Sequence, residues 1–200
     1  FAFSTHRYDT CDYGRIDPML GTEDDFRALC AEAHARGMRV ILDGVFSHVG
    51  SRSRYFQEAI SDPNSKYRDW FDFKHYPDTY TSWWGITDLP CVKKDNEDFL
   101  RYLIDGEDAI AVHWLRAGAD GWRLDVVDEL PDSFVMRLRN RIRAEKPDAL
   151  LIGEVWEDAS NKIAYGVRRR YFVDRELDSV MNYPWQKEIL RFVRGEADGS

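Results

Sequence analysis

The sequence predicts an α/β protein built on a parallel sheet. Three observations carry that prediction. Short apolar runs alternate with segments of helical period, several segment ends carry recognisable caps, and three successive apolar runs each end on a carboxylate. Thr22 reads as a helix N-cap, with Glu23, Asp24 and Asp25 in the first turn, where anionic side chains meet the positive end of the helix dipole. Phe26, Leu29, Cys30 and Ala33 recur at helical spacing, and Gly37 closes the helix as its C′ residue. The run Met38-Arg39-Val40-Ile41-Leu42 then suits a buried parallel strand ending in Asp43.

The pattern returns twice. Asp95 is expected to cap a helix carrying Phe99, Leu103, Ile110, Val112 and Leu115, with Gly118 as its stop. The strand Gly121-Trp122-Arg123-Leu124 ends in Asp125. Pro131 opens a helix carrying Phe134, Leu138 and Ile142, and Pro147 stands just past its end. The strand Ala149–Gly153 ends in Glu154. A helix over about 158–170, a short strand over about 178–182 and an amphipathic segment from Trp185 complete the reading.

One acidic residue after a strand often does no more than cap the next turn. Three in consecutive strands fit a (β/α)8 barrel, whose catalytic side chains stand at the C-terminal ends of its strands. One connection breaks the rhythm. Between His48 and Asp95 lie Tyr55, Phe56, Tyr67, Trp70, Phe71, Phe73, Tyr76, Tyr80, Trp83 and Trp84 without strong periodicity. Connections that long are usually functional or form a small folded unit. Residues 49–95 are therefore expected to form an inserted aromatic-rich subdomain, with 1–48 and 96–200 as the barrel portion. Most of these rings are expected to build the insertion's core, and the remainder could stack on sugar faces.

The bulk properties exclude other classes. The 200 residues are 44% hydrophobic and 14% aromatic, enough for one sizeable core. A net charge of −8 opposes nucleic-acid binding. The basic run Arg168–Arg170 reads as a solvated helix end. No stretch approaches the ~18 apolar residues of a membrane span, and no signal peptide stands at the start. Cys11, Cys30 and Cys91 form no C-x-x-C pair and leave one over, which favours a reducing, cytoplasmic setting.

Asp125 and Glu154 end adjacent predicted strands, which would lie about 4.8 Å apart. Retaining cleavage of a glycosidic bond uses two carboxyl groups roughly 5–5.5 Å apart, one attacking the anomeric carbon and the other protonating the leaving oxygen. Arg123, two positions before Asp125, shares its face of the strand and would keep it ionised. Glu154 would need to hold a proton, through burial or a nearby like charge.

These segments resemble the α-amylase superfamily, glycoside hydrolase family 13. Gly-Trp-Arg-Leu-Asp at 121–125 resembles the stretch bearing its nucleophile, and Gly-Glu-Val-Trp at 153–156 the stretch bearing its acid/base. Asp43-Gly-Val-Phe-Ser-His48 resembles the end of its third barrel strand, and residues 8–18 the stretch after its second. His6–Thr10, Tyr67–Phe71 and Val180-Met181-Asn182-Tyr183-Pro184 are similar to the neopullulanase, cyclomaltodextrinase and maltogenic amylase branch. The ordered set covers nearly the whole chain.

The resemblance implies a partial (β/α)8 barrel comprising about strands 3 to 6, with the insertion after strand 3. It implies retaining hydrolysis of α-1,4, and potentially α-1,6, glucosidic bonds in starch-like oligo- and polysaccharides. Asp125 would form the covalent glycosyl intermediate, and Glu154 would act as acid, then base. Arg123 would orient Asp125, His48 would hydrogen-bond the sugar at the cleavage subsite, Tyr8 would stack beneath it, and Trp156 would line the acceptor side. Asp43 would be architectural. No cofactor is implied. Ser47 stands where many members carry an Asn that often serves calcium, so no metal site is expected. Leu89–Lys93 departs from a segment that helps set specificity. The family's third carboxylate follows a His, and no His-Asp pair occurs here. The chain is thus expected to begin after strand 1, to end before that Asp, and to be inactive alone. The alternative is a non-catalytic amylase-like binding or assembly domain, against which Arg123, Asp125 and Glu154 all speak. A metal-dependent barrel enzyme lacks a ligand cluster, since His48, His75 and His113 form none.

Overall fold

A computed structural model describes residues 1–173 and 175–196. Position 174 and residues 197–200, within the expected 96–200 segment, lie outside the described residues. The elements run α1 (Glu23–Ala35), β1 (Ile41–Gly44), α2 (Arg54–Ser61), β2 (Phe73–His75), β3 (Thr79–Tyr80), α3 (Glu97–Leu100), α4 (Ile110–Arg116), β4 (Gly121–Leu124), α5 (Asp132–Glu145), β5 (Leu150–Gly153), β6 (Ile163–Ala164), β7 (Val167–Arg168), β8 (Ser179–Val180) and α6 (Tyr183–Val193).

The main sheet has the order β1-β4-β5-β8, all parallel. β1, β4 and β5 follow one another in the sheet and are joined through helices, the repeating unit of a (β/α)8 barrel, whereas the connection from β5 to β8 carries the β6–β7 hairpin. The register pairs Asp43 with Arg123 and Leu124 with Gly153. Asp43 thus lies inside β1, while Asp125 and Glu154 stand one residue beyond β4 and β5. The Asp125 N–H donates to the Gly44 carbonyl (3.2 Å) and the Glu154 N–H to that of Leu124 (2.9 Å), so the ladder continues to the level of both carboxylates. Gly121 is required where β4 starts, because a Cβ there would lie 2.1 Å from the Leu150 carbonyl oxygen.

The first helix forms for the reasons its sequence offers. The Thr22 hydroxyl accepts from the Asp25 N–H (3.3 Å) and the Asp25 carboxylate accepts from the Thr22 N–H (2.8 Å), a reciprocal capping box. Arg36 is the C-cap, and Gly37 follows at φ +71°. Phe26 and Cys30 are buried, but Leu29 is exposed despite its period.

Three expectations need correction. The helix begun at Asp95 is capped instead by Asn96, whose side chain accepts from the Phe99 N–H (2.9 Å). It is also not continuous. After α3 a π-helical turn spans Arg101–Asp105, closed by the Gly106 N–H on the Arg101 carbonyl (2.8 Å), and α4 restarts at Ile110. The wider turn lets the adjacent residues Leu103 and Ile104 both be fully buried. The helix expected over 158–170 is the antiparallel hairpin β6–β7. Its two turn residues, Tyr165 and Gly166, have φ of +52° and +78°, which suits a hairpin and is incompatible with a right-handed helix. The run Arg168–Arg170 is therefore no solvated helix end. Arg169 is buried, donates to the carbonyls of Leu130 (2.6 Å) and Asp128 (3.1 Å), and pairs with Asp132 (2.9 Å). It ties the segment after β5 to the segment after β4.

Residues 49–95 contain α2, the β2–β3 hairpin and two 3-10 turns. Tyr55, Phe56, Tyr67, Trp70 and Phe71 are buried and belong to one apolar cluster with Phe99, Leu103, Trp122 and Leu138. Core packing thus accounts for these five rings. Trp84 is different, with 68% of its surface exposed and φ at +50°.

At the opposite end of the sheet from the site, Asp120 is a packing hub. Its carboxylate accepts from the Val40 N–H (2.8 Å), pairs with Lys146 (2.6 Å) and contacts His34 Nε2 (2.7 Å). Burial pushes its pKa upward, but Lys146, Val40 and His34 outweigh that and hold it at about 2. Asp120→Asn is expected to destabilise the protein by about 1.5–3 kcal/mol at neutral pH. Because the folded value is depressed, the gap between variant and parent should be complete above pH ~4 and close as pH falls towards 2. Denaturant unfolding at several pH values measures it.

Candidate active site

The site forms where β1, β4 and β5 end side by side. Its centre is Arg123, on the same face of β4 as Asp125. Arg123 Nη1 donates to both Asp43 oxygens (2.7 and 2.9 Å) and to Asp125 Oδ1 (2.9 Å), and Nη2 pairs with Glu154 Oε2 (3.0 Å). One guanidinium thus gathers three carboxylates from three neighbouring strands. The predicted trio Arg123, Asp125 and Glu154 is brought together, and Asp43 joins it through hydrogen bonds.

Glu154 is held from every side. Its Oε2 also accepts from the Val126 N–H (2.9 Å), while Oε1 accepts from Trp156 Nε1 (3.1 Å) and the Tyr183 hydroxyl (3.2 Å). Val126 itself sits at φ +37°, a conformation a β-branched residue takes only at a cost of order 1–3 kcal/mol. Val126 and Tyr183 were not read as site residues. The motif around Tyr183 was visible, but which carboxylate it would meet depended on β8 pairing with β5.

The two carboxyls sit in different electrostatic surroundings. Burial, opposed by Arg123 and reinforced by Glu154 and Asp43, lifts Asp125 to about 7. Burial also acts to raise Glu154, but the Val126 N–H, the Trp156 indole, Arg123 and Tyr183 outweigh it and leave Glu154 lowered. One cation faces three carboxylates, and Glu154 receives more donors than Asp125 does.

Tyr8 and His48 sit together at the β1 side. His48 is buried, its Nε2 contacts the Tyr8 carbonyl (3.1 Å), and its Nδ1 meets the Ser47 hydroxyl (2.9 Å). A carbonyl can only accept, so Nε2 carries the proton. Burial lowers the His48 pKa to about 4, so the ring is neutral. Burial raises the Tyr8 pKa, and the charges of Asp43, Asp125 and Glu154 add to the rise, which places its ring in the field of the carboxylates.

Trp156 opens onto a cavity of about 280 Å³ that Glu154, Trp84, Tyr165 and Lys162 also line. A cavity of about 680 Å³ follows the edge of β1 and touches the site only through Tyr8 and Asp43. Its apolar lining, with Phe26, Leu29, Val40, Leu42 and Trp122, belongs to the packing of α1 against the sheet edge, and the smaller cavity is the one that borders Glu154.

Arg123→Met would leave three carboxylates facing one another. It is expected to destabilise the protein by about 3 kcal/mol at pH 7, with Asp43 partly relieved by water. The loss should shrink below pH ~4, where the carboxyls protonate. Thermal unfolding at pH 7 and pH 4 tests this.

The chain matches the model of the alpha amylase catalytic domain over residues 2–198. It is 36% identical to Neopullulanase 2 of Thermoactinomyces vulgaris, over 94% of this chain and 32% of the relative. It is likewise 36% identical to the intracellular maltogenic amylase of Bacillus subtilis, over 94% of this chain and 31% of the relative. Among solved structures it is similar to the type III pullulan hydrolase from Thermococcus kodakarensis, with a TM-score of 0.85, 38% identity and coverage of 100% of this chain and 34% of that one. The ligand-free cyclic alpha-maltosyl-(1-->6)-maltose hydrolase from Arthrobacter globiformis superposes with a TM-score of 0.87 at 30% identity, over 98% and 44% of the two chains. The chain spans about a third of the length of these two curated relatives. With strand ends, carboxylates and arginine arranged as described, the chain belongs to the alpha-amylase catalytic-domain family of glycosidases.

Proposed function

We propose that the whole protein containing this chain is a retaining glycosidase that cleaves α-glucosidic bonds in starch-like oligo- and polysaccharides. The observation that carries the reading is the pairing of Asp125 and Glu154 across Arg123 at adjacent strand ends. Asp125 attacks the anomeric carbon and forms a covalent glycosyl ester, while Glu154 protonates the leaving oxygen. Glu154 then takes a proton from the water that releases the sugar. The names of the relatives, which include pullulan hydrolases, support an α-glucan substrate, and α-1,4 and α-1,6 bonds are the linkages to test.

The remaining residues serve this reaction. Arg123 holds Asp125 against the anomeric carbon. Tyr8 lies under the reacting sugar, and the neutral His48 fixes the Tyr8 backbone and lends its ring edge to the same subsite. Trp156 borders the cavity on the leaving side, where an acceptor sugar can pack against Trp84 and Tyr165. Positive charge developing at the anomeric carbon favours ionised Asp125, while Glu154 holds the proton that the leaving oxygen takes.

Asp125→Asn in the whole protein is expected to reduce turnover of cyclodextrins, pullulan and starch by at least about 10³-fold. Retention of full activity would refute the assignment. The parent's kcat/KM should be bell-shaped in pH. Its acid limb should fall below the ordinary glutamate range and its basic limb at about 7. Below the acid limb both carboxyls hold protons and Asp125 cannot attack. Above the basic limb neither holds one, and the leaving oxygen receives none.

The 200-residue chain expressed alone is expected to show no maltooligosaccharide turnover. Its main sheet leaves β1 and β8 as open edges, and Met19, Leu20, Trp185 and Phe192 are exposed beside them. A sensitive reducing-sugar assay on the purified chain checks this.

A further inference from the structure

The segment Met181–Tyr183 meets the site at two points. β8 pairs with β5 in a register that sets Val180 beside Gly153, and the Met181 N–H donates to the Gly153 carbonyl (2.9 Å). That fixes the start of α6 next to Glu154. Asn182 caps α6 by accepting from the Trp185 N–H (3.0 Å), so Tyr183 sits at the first helical position with little freedom to move. Met181 Sδ meets Arg123 Nε at 3.3 Å, and the Tyr183 hydroxyl meets Glu154 Oε1 at 3.2 Å.

The four partners of Glu154 are not chemically equivalent. The Val126 N–H and Arg123 on Oε2 can only donate, as can the Trp156 indole on Oε1. A carboxyl oxygen facing two fixed donors has no room for a proton. Oε2 faces a backbone amide and a cation, so it stays unprotonated. Oε1 faces one fixed donor and one hydroxyl, and a hydroxyl can rotate away or reverse from donor to acceptor.

We propose that Oε1 carries the proton Glu154 transfers and that Tyr183 is the positioning residue that permits the transfer, donating to Oε1 when Glu154 is ionised and yielding or accepting when it is protonated. This rests on the reading of Glu154 as acid and base. The proton passes from Oε1 to the leaving glycosidic oxygen as the C–O bond breaks. It returns to Oε1 from the water whose oxygen forms the new bond to the anomeric carbon. Tyr183 keeps its own proton throughout. Burial and the adjacent Glu154 raise its pKa, in keeping with that role. The groups facing Glu154 are Arg123 and Asp125 beyond it on β4, Asp43 through Arg123, Tyr8 from the N-terminal segment, Trp156 from its own loop, and Tyr183. Lys162, Glu157, Asp128 and Glu129 line the adjoining cavity.

The test uses the whole protein and two substrates, a maltooligosaccharide, whose leaving group needs a proton, and α-maltosyl fluoride, whose leaving group needs little help. Tyr183→Phe is expected to lower kcat/KM, which reports formation of the glycosyl ester alone, about tenfold on the maltooligosaccharide. It should leave the fluoride within about twofold of the parent, and the acid limb of the pH profile should move upward, because a donor to the ionised carboxylate is lost. Equal losses on both substrates in a folded variant, or an unmoved profile, would overturn the proposal. If Phe unfolds the protein, 3-fluorotyrosine at position 183 keeps the ring and hydroxyl but makes the hydroxyl more acidic. A shifted acid limb then supports the proposal and an unchanged one overturns it. Glu154→Gln separates the two levels of the argument. If it lowers kcat/KM on both substrates equally, or on neither, the acid/base reading itself fails. If it spares only the fluoride while Tyr183→Phe spares both, only the role of Tyr183 fails.

Discussion

A single guanidinium organises the functional end of this sheet. Arg123 reaches Asp43, Asp125 and Glu154, three carboxylates from three adjacent strands, and no second cation of the described residues shares that task. The ordering follows from charge balance. Like charges at this spacing are tolerable only around a shared cation, and each of the three finds a different compromise. Asp43 lies against Arg123 with both oxygens while remaining partly in water. Asp125 is buried, and burial raises its pKa. Glu154 is stabilised by added donors instead. The strand register, with Asp43 opposite Arg123 and Leu124 opposite Gly153, is what makes one side chain long enough to reach all three.

Around that core the loops act as braces. Arg169 draws the hairpin-bearing segment after β5 onto the turn after β4, and the Tyr171 hydroxyl donates to Asp128 on the same turn. The Tyr165 hydroxyl donates to Glu129 from the hairpin itself. The wall of the cavity beside Trp156 is therefore tied to the segment that follows Asp125, and the two halves of the site cannot shift independently. On the other flank, Ser47, His48 and the Tyr8 carbonyl form a chain of contacts that joins the N-terminal segment to the end of β1.

Local signals were legible wherever a short stretch of chain settles its own conformation. The Thr22–Asp25 capping box, the Gly37 stop and the Pro131 start depend on neighbours within a few residues, and each element formed where its sequence pointed. Signals failed where longer-range packing or a turn overrode period. Apolar residues from Phe99 to Leu115 fit one helix on paper, yet the π turn and Gly106 divide them so that both Leu103 and Ile104 reach the core. Residues 158–170 lack a breaker as strong as proline, and only the left-handed pair Tyr165–Gly166 makes them a hairpin.

For the site, residue types and spacing pointed to Arg123, Asp125 and Glu154, because a strand's period of two and the alternation of strands and helices are properties of the chain itself. The set of donors around each carboxyl was beyond their reach. It depends on the Val126 N–H, the Trp156 indole and the Tyr183 hydroxyl converging on Glu154 from three separate places. A carboxyl's proton affinity is the sum of burial and every donor in reach, and only the folded chain assembles that sum.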